Sequence, residues 1–329
     1  MHKKNIALKF MLKLRSKNLF NSFVTISRSM VSFGCNDRIK SFLYIPCNSQ
    51  SKLNKVKQVN TKCKRIVLDL EDALNFESKD LGRNLLNKNL KVFNKTLNMR
   101  NIYVRINSHS LEMIEKDFQC LQNMTIGGLV VPKFENIKDL IMIQEFVSKY
   151  SVQVPRNSIP VILTIESAKS LLNLNNIFLR LKQMQNCMCN IEAIVFGSDD
   201  FSISLGIHRR FTKSDESNLA FHRQYFIMVA KAFNLNAIDM VYPKFKDLQG
   251  LANFSEGSRN LGFDGMQLIH PAQVDVSNTS YGYTEDDIFW AKSVISKYEA
   301  PESDGVIVEK DAMIDRPLYL QAKNIINSK

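Results

Sequence analysis

The sequence predicts an α/β fold closed into a single (β/α)₈ barrel with a C-terminal helical lid, and three observations carry that expectation. Eight short β-rich apolar runs recur after residue 40, each followed by a longer segment of helical periodicity. The runs are near-continuous in Val, Ile and Leu, as parallel strands buried on both faces require. Most of them end in ionisable residues, the pattern of a barrel whose site lies at the C-terminal ends of its strands.

In chain order the runs are SFLYIPC (41–47), RIVLDLE (65–71), NIYVRIN (101–107), GGLVVPK (127–133), PVILTIE (160–166), EAIVFGSDD (192–200), AIDMVYP (237–243) and DGMQLIHP (264–271). Eight such units point to a closed barrel rather than an open doubly wound sheet. The segment that follows has a different grammar. It holds a helix expected over DDIFWAKSVISKYEA (286–300), a loop with Pro301 and Gly305, and a tail over 310–328 that can reach across a barrel mouth. The division expected is a leader over 1–38, a catalytic barrel over 39–275 and a lid over 276–329.

Charge separates the leader from the rest. Residues 1–36 carry seven basic side chains and no acid, whereas from Asp37 onward 37 basic residues face 32 acidic ones, so most of the net +12 lies in the leader. A basic, Ser-containing, acid-free segment that is amphipathic as a helix reads as a mitochondrial transit peptide, with the matrix as destination. The alternative is a basic arm that binds nucleic acid or acidic lipid. The barrel itself is nearly balanced and gives no reason to expect a nucleic-acid partner. No run of 18 or more apolar residues occurs, so no membrane-spanning helix is expected. The cysteines Cys35, Cys47, Cys63, Cys120, Cys187 and Cys189 fit neither a zinc site nor a disulfide framework and read as structural thiols. No G-x-G-x-x-G follows the first run and no G-x-x-x-x-G-K-[ST] is present, which removes the main support for dinucleotide and P-loop readings.

The chemistry is expected where the runs end. Asp69, Glu71 and Asp72 close the second, Arg105 the third, Lys133 the fourth, Glu166 the fifth, Asp199 and Asp200 the sixth and His270 the eighth. Glu166 and Asp200 end consecutive strands, which run about 4.8 Å apart, so they can share one cation. Hard oxygen donors without His or Cys favour Mg²⁺, or Mn²⁺, over zinc. Asp69, Glu71 and Asp72 are candidates to orient the cation's waters. The Arg105 fork suits a substrate carboxylate or a developing enolate oxygen. Each carboxylate has a plain alternative as a helix cap or a lysine's partner. His270 reads as a turn residue and Lys133 as a local ion-pair partner.

At these residues the chain resembles the HpcH/HpaI aldolase and citrate lyase β-subunit superfamily. The motifs YIPCN (44–48), VLDLEDA (67–73), VRIN (104–107), VPKFE (131–135), TIESAKSLLN (164–173), VFGSDDF (195–201), AIDMVY (237–242), GFDGMQLIHP (262–271) and MIDRP (313–317) stand in the family's order over roughly 40–325. The resemblance implies a Mg²⁺-dependent lyase on a TIM barrel, usually a homotrimer, that splits citramalyl-CoA into pyruvate and acetyl-CoA. It also implies a malate-synthase-type condensation of acetyl-CoA with glyoxylate. Glu166 and Asp200 then match metal ligands, Arg105 the substrate arginine and Asp315 the catalytic acid/base on the lid. Tyr44, Pro46, Asn48, Ser49, Ser51, Met266, Gln267, Met313 and Ile314 match coenzyme A and substrate contacts.

The chain departs from the family pattern at three places. Pro46-Cys47-Asn48 replaces Pro-Gly-Asn, Met266 stands where a basic residue is frequent, and Gly197-Ser198-Asp199-Asp200 replaces Gly-Gly-Glu-Asp. Two other functions remain open at this point. One is a non-catalytic mitochondrial scaffold or RNA-associated barrel, and the other is an aldolase acting on free 2-oxo acids.

Overall fold

A computed structural model describes residues 32–34, 38–108, 110–154, 158–184, 187–209, 217–300, 305–309 and 312–327; the leader expected over 1–38 lies almost entirely outside the described residues. A two-residue strand, β1 (Ser32–Phe33), precedes the barrel. The barrel strands are β2 (Ser41–Pro46), β3 (Arg65–Asp69), β4 (Ile102–Arg105), β5 (Gly128–Val131), β6 (Ile159–Ile165), β7 (Cys189–Phe196), β8 (Asn236–Asp239) and β9 (Gly265–Leu268). Each of the eight expected runs overlaps one of them, with β6, β7 and β8 starting one to three residues before their runs. Every barrel pairing is parallel, and β9 pairs with β2 on one side and β8 on the other, so the sheet closes on itself.

Alternation along each strand sorts its residues between two cores. Phe42, Tyr44, Val67, Tyr103, Val130, Ile162, Val195 and Ile238 pack inside the barrel. Leu43, Ile45, Leu68, Val104, Leu129, Leu163, Ile194 and Leu268 face outward into the layer between strands and helices. An extra residue in β7 at Glu192, opposite the Val161–Ile162 step of β6, turns its carboxylate inward. There it accepts hydrogen bonds from Arg65 (3.1 Å) and Tyr103 (2.5 Å) and fills the barrel below the mouth.

The crossover helices form for readable reasons. In Lys79–Thr96 the buried Leu86, Leu90 and Phe93 recur at spacings of four and three. Ile137–Lys149 starts with a capping box between Asn136 and Asp139, and in Ala168–Gln183 the Ser167 hydroxyl accepts from Ser170 N–H. Leu248–Leu261 ends at Gly262, whose φ of +112° is the left-handed stop that glycine adopts without strain.

Helix Gln273–Ser280 packs back on the barrel, its Ser277 hydroxyl donating to Lys40 C=O at 2.6 Å, and the next helix opens at the Thr284 cap. The sixth run does not stay extended to Asp200. Its strand stops at Phe196, and Ser198–Ser204 is a helix whose first turn carries Asp199 and Asp200, where negative charge suits the helix dipole. The lid comprises helix Glu285–Tyr298, a hairpin of β10 (Ile307–Glu309) and β11 (Ala312–Ile314), and helix Arg316–Asn327. Its own small core gathers Ala291, Val294, Ile314 and Ala322.

Candidate active site

A cavity of about 280 Å³ opens at the C-terminal ends of the barrel strands, lined by Tyr44, Pro46, Asp69, Asp72, Arg105, Thr164, Glu166, Asp199, Asp200 and Gln267 among others. Asp69, Asp72, Arg105, Glu166, Asp199 and Asp200 therefore converge, some from the inward phase of a strand and some from the segment that follows one.

Glu166 and Asp200 form the acidic wall. Thr164 and Glu166 share the inward face of the β6 strand line, and Asp200 reaches toward them from the helix after β7. Burial first, then the neighbouring carboxyl of Asp200 and the nearby charge of Glu71, push the Glu166 pKa up to about 8. Gly197 makes this approach feasible, because a Cβ there would lie 2.5 Å from Glu166 Cγ and 3.2 Å from the Thr164 methyl. Among the described residues no three His, Cys, Asp or Glu side chains group as a metal cluster. Two adjacent carboxylates without nitrogen or sulfur donors nonetheless fit Mg²⁺, which keeps several waters and takes one or two protein carboxylates with substrate oxygens.

Arg105 forms the opposite wall. Its Nε and Nη2 donate to the two Asp69 oxygens at 2.7 and 2.6 Å, Nη1 lies 3.4 Å from Glu71, and the guanidinium stacks over the Tyr44 ring at 4.6 Å. A guanidinium has five N–H donors, so this clamp leaves some for a ligand. Asp69 accepts from Arg105 with both oxygens, and Glu71 and Asp72 hold the Lys133 ammonium at 3.0 and 3.1 Å, so a cation of the protein pairs with each of these acids. Lys133 is the ion-pair residue its position suggested, and it also lies 3.5 Å from Asp200. Burial alone would lower its pKa, but the bonds and charges of Glu71 and Asp72 outweigh that and push it up.

Side-chain phase separates the remaining candidates. Gln267 points inward and donates to the C=O groups of Phe196 and Asp239 at 2.9 and 3.1 Å. Its neighbour Met266 therefore points outward, where its sulfur meets the Ser255 hydroxyl at 3.1 Å, and it is no ligand contact. Cys47 likewise faces away from the mouth into the strand–helix core, so the side chain that replaces glycine there leaves the cavity open. Asn48, Ser49 and Ser51 are not among the residues lining the cavity; Lys52 donates to Asn48 at 3.1 Å and the two serine hydroxyls pair at 2.8 Å. His270 is a turn residue whose Nδ1 accepts from Ala272 N–H at 3.2 Å. Asp199 pairs with Arg209.

The lid candidates do not line the cavity. Ile314 is buried in the lid's own core, Met313 is exposed, and exposed Asp315 accepts from Leu318 N–H at 3.5 Å at the start of the last helix. Two residues escaped the sequence reading. The buried Lys79 ammonium donates to the C=O groups of Leu70 and Glu71 and to Asn107 at 2.7–2.8 Å, pinning the acidic loop, and nothing in the pattern announces it. Thr164 lies two residues before Glu166 and so on the same strand face, a signal that was there to be used. Its hydroxyl and that of Tyr44 are buried at the cavity without a hydrogen-bond partner.

A family model described as HpcH/HpaI aldolase/citrate lyase matches residues 40–271, the span from the first barrel strand to the turn after the last. The chain belongs to that family. The mitochondrial citramalyl-CoA lyase of Rattus norvegicus is 32% identical over 299 residues, covering 87% of this chain and 85% of that protein. The mitochondrial citramalyl-CoA lyase of Homo sapiens is 32% identical over 300 residues, covering 87% and 84%. Among solved structures, CitE from Mycobacterium tuberculosis in complex with magnesium, acetoacetate and coenzyme A is similar in fold, with a TM-score of 0.71 at 20% identity, 89% of this chain and 99% of that chain. The motifs from 44 to 271 that carried the resemblance lie within the matched span.

Proposed function

We propose that the chain is a Mg²⁺-dependent carbon–carbon lyase that cleaves citramalyl-CoA into pyruvate and acetyl-CoA. The observation that carries the reading is that Glu166 and Asp200 line one cavity together with an Arg105 oriented by Asp69. A magnesium ion held by Glu166 and Asp200 would act there as a Lewis acid toward the substrate's hydroxyl and carboxylate.

The residues of the chain account for the rest. Arg105, oriented by Asp69 and Tyr44, holds negative charge on the substrate with its remaining N–H groups. Cleavage needs a base for the tertiary hydroxyl proton. As that proton leaves, the carbinol carbon becomes the carbonyl of pyruvate, the bond to the neighbouring CH₂ breaks, and its electron pair passes to the thioester as an enolate. Protonation of that CH₂ carbon then yields acetyl-CoA. Asp315 can take and return the proton only if a lid closes over the mouth. In one chain it is exposed and away from the cavity, so the role calls for the lid of a second copy, in keeping with a homotrimer. The same groups run backwards would join acetyl-CoA to glyoxylate, Asp315 removing the methyl proton.

The cavity suits the acyl portion, while Asn48, Ser49 and Ser51, just after the cavity-lining Pro46, would meet the coenzyme A arm. The basic leader and the mitochondrial relatives support a mitochondrial matrix location. A coupled assay comparing citramalyl-CoA, malyl-CoA and free citramalate tests the reading. Turnover of free citramalate as fast as of its thioester would favour the aldolase on free acids instead.

A further inference from the structure

Lys133 is tied into the acidic cluster from both ends. Its backbone adopts a φ of +50°, a left-handed conformation that a lysine rarely holds. The turn aims its N–H at Glu166 Oε1, 3.4 Å away, and sends its ammonium to Glu71 Oε1 (3.0 Å), Asp72 Oδ2 (3.1 Å) and Asp200 Oδ2 (3.5 Å). One residue thereby touches acids from the segments that follow β3, β6 and β7.

We propose that Lys133 sets the divalent-cation affinity of the Glu166–Asp200 pair by fixing a positive charge beside it. The inference rests on reading those two residues as the cation's ligands. Four carboxylates crowd this wall, and without a neighbouring positive charge they would hold a divalent cation tightly and repel a substrate carboxylate. Lys133 offsets that field from the side. Its contacts to Glu71 and Asp72 are shorter than its contact to Asp200, so these two acids tether it next to the pair and leave the Asp200 oxygens able to bind a cation. Glu71 and Asp72 thus act on the cation through Lys133, which explains why acids of the metal wall carry a lysine between them.

The test is calorimetric titration of MgCl₂ into the full chain at low ionic strength, with Lys133→Met, Lys133→Arg and Glu166→Gln beside the wild type. The Lys133 side chain is about one-third exposed, so Met removes the charge without opening the core. Removal of one unit charge a few ångströms from the ion is expected to tighten Mg²⁺ about tenfold. The gain should shrink as salt is raised. Lys133→Arg, which keeps the charge, should stay near the wild type. Unchanged or weaker affinity in Lys133→Met, or an Arg variant that moves with it, overturns the proposal. A wild type whose titration matches that of Glu166→Gln overturns the cation reading itself, and this proposal with it.

Discussion

Replacing Glu166 by Gln is expected to stabilise the cation-free fold while abolishing its response to magnesium. The residue is 8% exposed, and its pKa is pushed from 4.5 up to about 8 by burial first and then by Asp200 and Glu71. Below pH 4.5 the group is protonated in both the folded and unfolded states and costs nothing. As pH rises past 4.5 the unfolded chain releases the proton and the folded one keeps it, so stability falls through the window from 4.5 to about 8 and levels off above it. At ~1.4 kcal/mol per pH unit the loss at pH 7 is on the order of 3 kcal/mol. For a chain of this size, at about 2 °C per kcal/mol, that is ~6 °C in Tm. Gln keeps the shape, and an oxygen for the Lys133 N–H, but has no charge to desolvate. Thermal denaturation in EDTA should show the variant melting several degrees above the wild type at pH 7, with the gap closing towards pH 5. In Mg²⁺ the wild type should gain stability and the variant should not. A variant that melts at or below the wild type in EDTA at pH 7 would refute the burial reasoning.

Other perturbations address the site piece by piece. Gly197→Ala puts a methyl 2.5 Å from Glu166 Cγ and should displace that carboxylate, weakening Mg²⁺ by about 10–100-fold in calorimetry, as disturbed ligand supports do; unaltered affinity would contradict Glu166 as a ligand. Asp315→Asn should lower kcat with citramalyl-CoA by about 10²–10⁴ with little change in KM, since the amide keeps the shape but cannot accept a proton; near-normal kcat in steady-state kinetics would move the base elsewhere. Residues 1–36 fused to a fluorescent reporter should carry it to mitochondria, and cytosolic retention on imaging would refute the transit-peptide reading.

The barrel was legible because strands buried on both faces leave unbroken apolar runs, and β2 to β9 each overlap a run read from the chain. The site was legible as a set for a related reason, since ionisable residues at strand ends converge once the sheet closes. What the residues could not announce was phase. Met266 and Gln267 are neighbours in a motif, yet only Gln267 enters the barrel, and the same one-residue step turns Cys47 outward. Nor could partnership be read. Asp69, Glu71 and Asp72 look alike as three acids in four residues, but Arg105 claims the first and Lys133 the others, because strand register sets β4 beside β3 and a left-handed turn brings Lys133 across. Asp315 belongs to a motif at the far end of the chain, and its distance from the cavity depends on how the lid packs, which no local pattern encodes.

The most direct measurement is product analysis of citramalyl-CoA turnover by the full chain, following pyruvate, acetyl-CoA and free coenzyme A together with and without Mg²⁺. Carbon–carbon cleavage at the Glu166–Asp200 site predicts pyruvate and acetyl-CoA in equal amounts, no free coenzyme A, and loss of both products in EDTA and in Asp200→Asn. Free coenzyme A without pyruvate, or equal products that persist in EDTA and in the Asp200 variant, would contradict it.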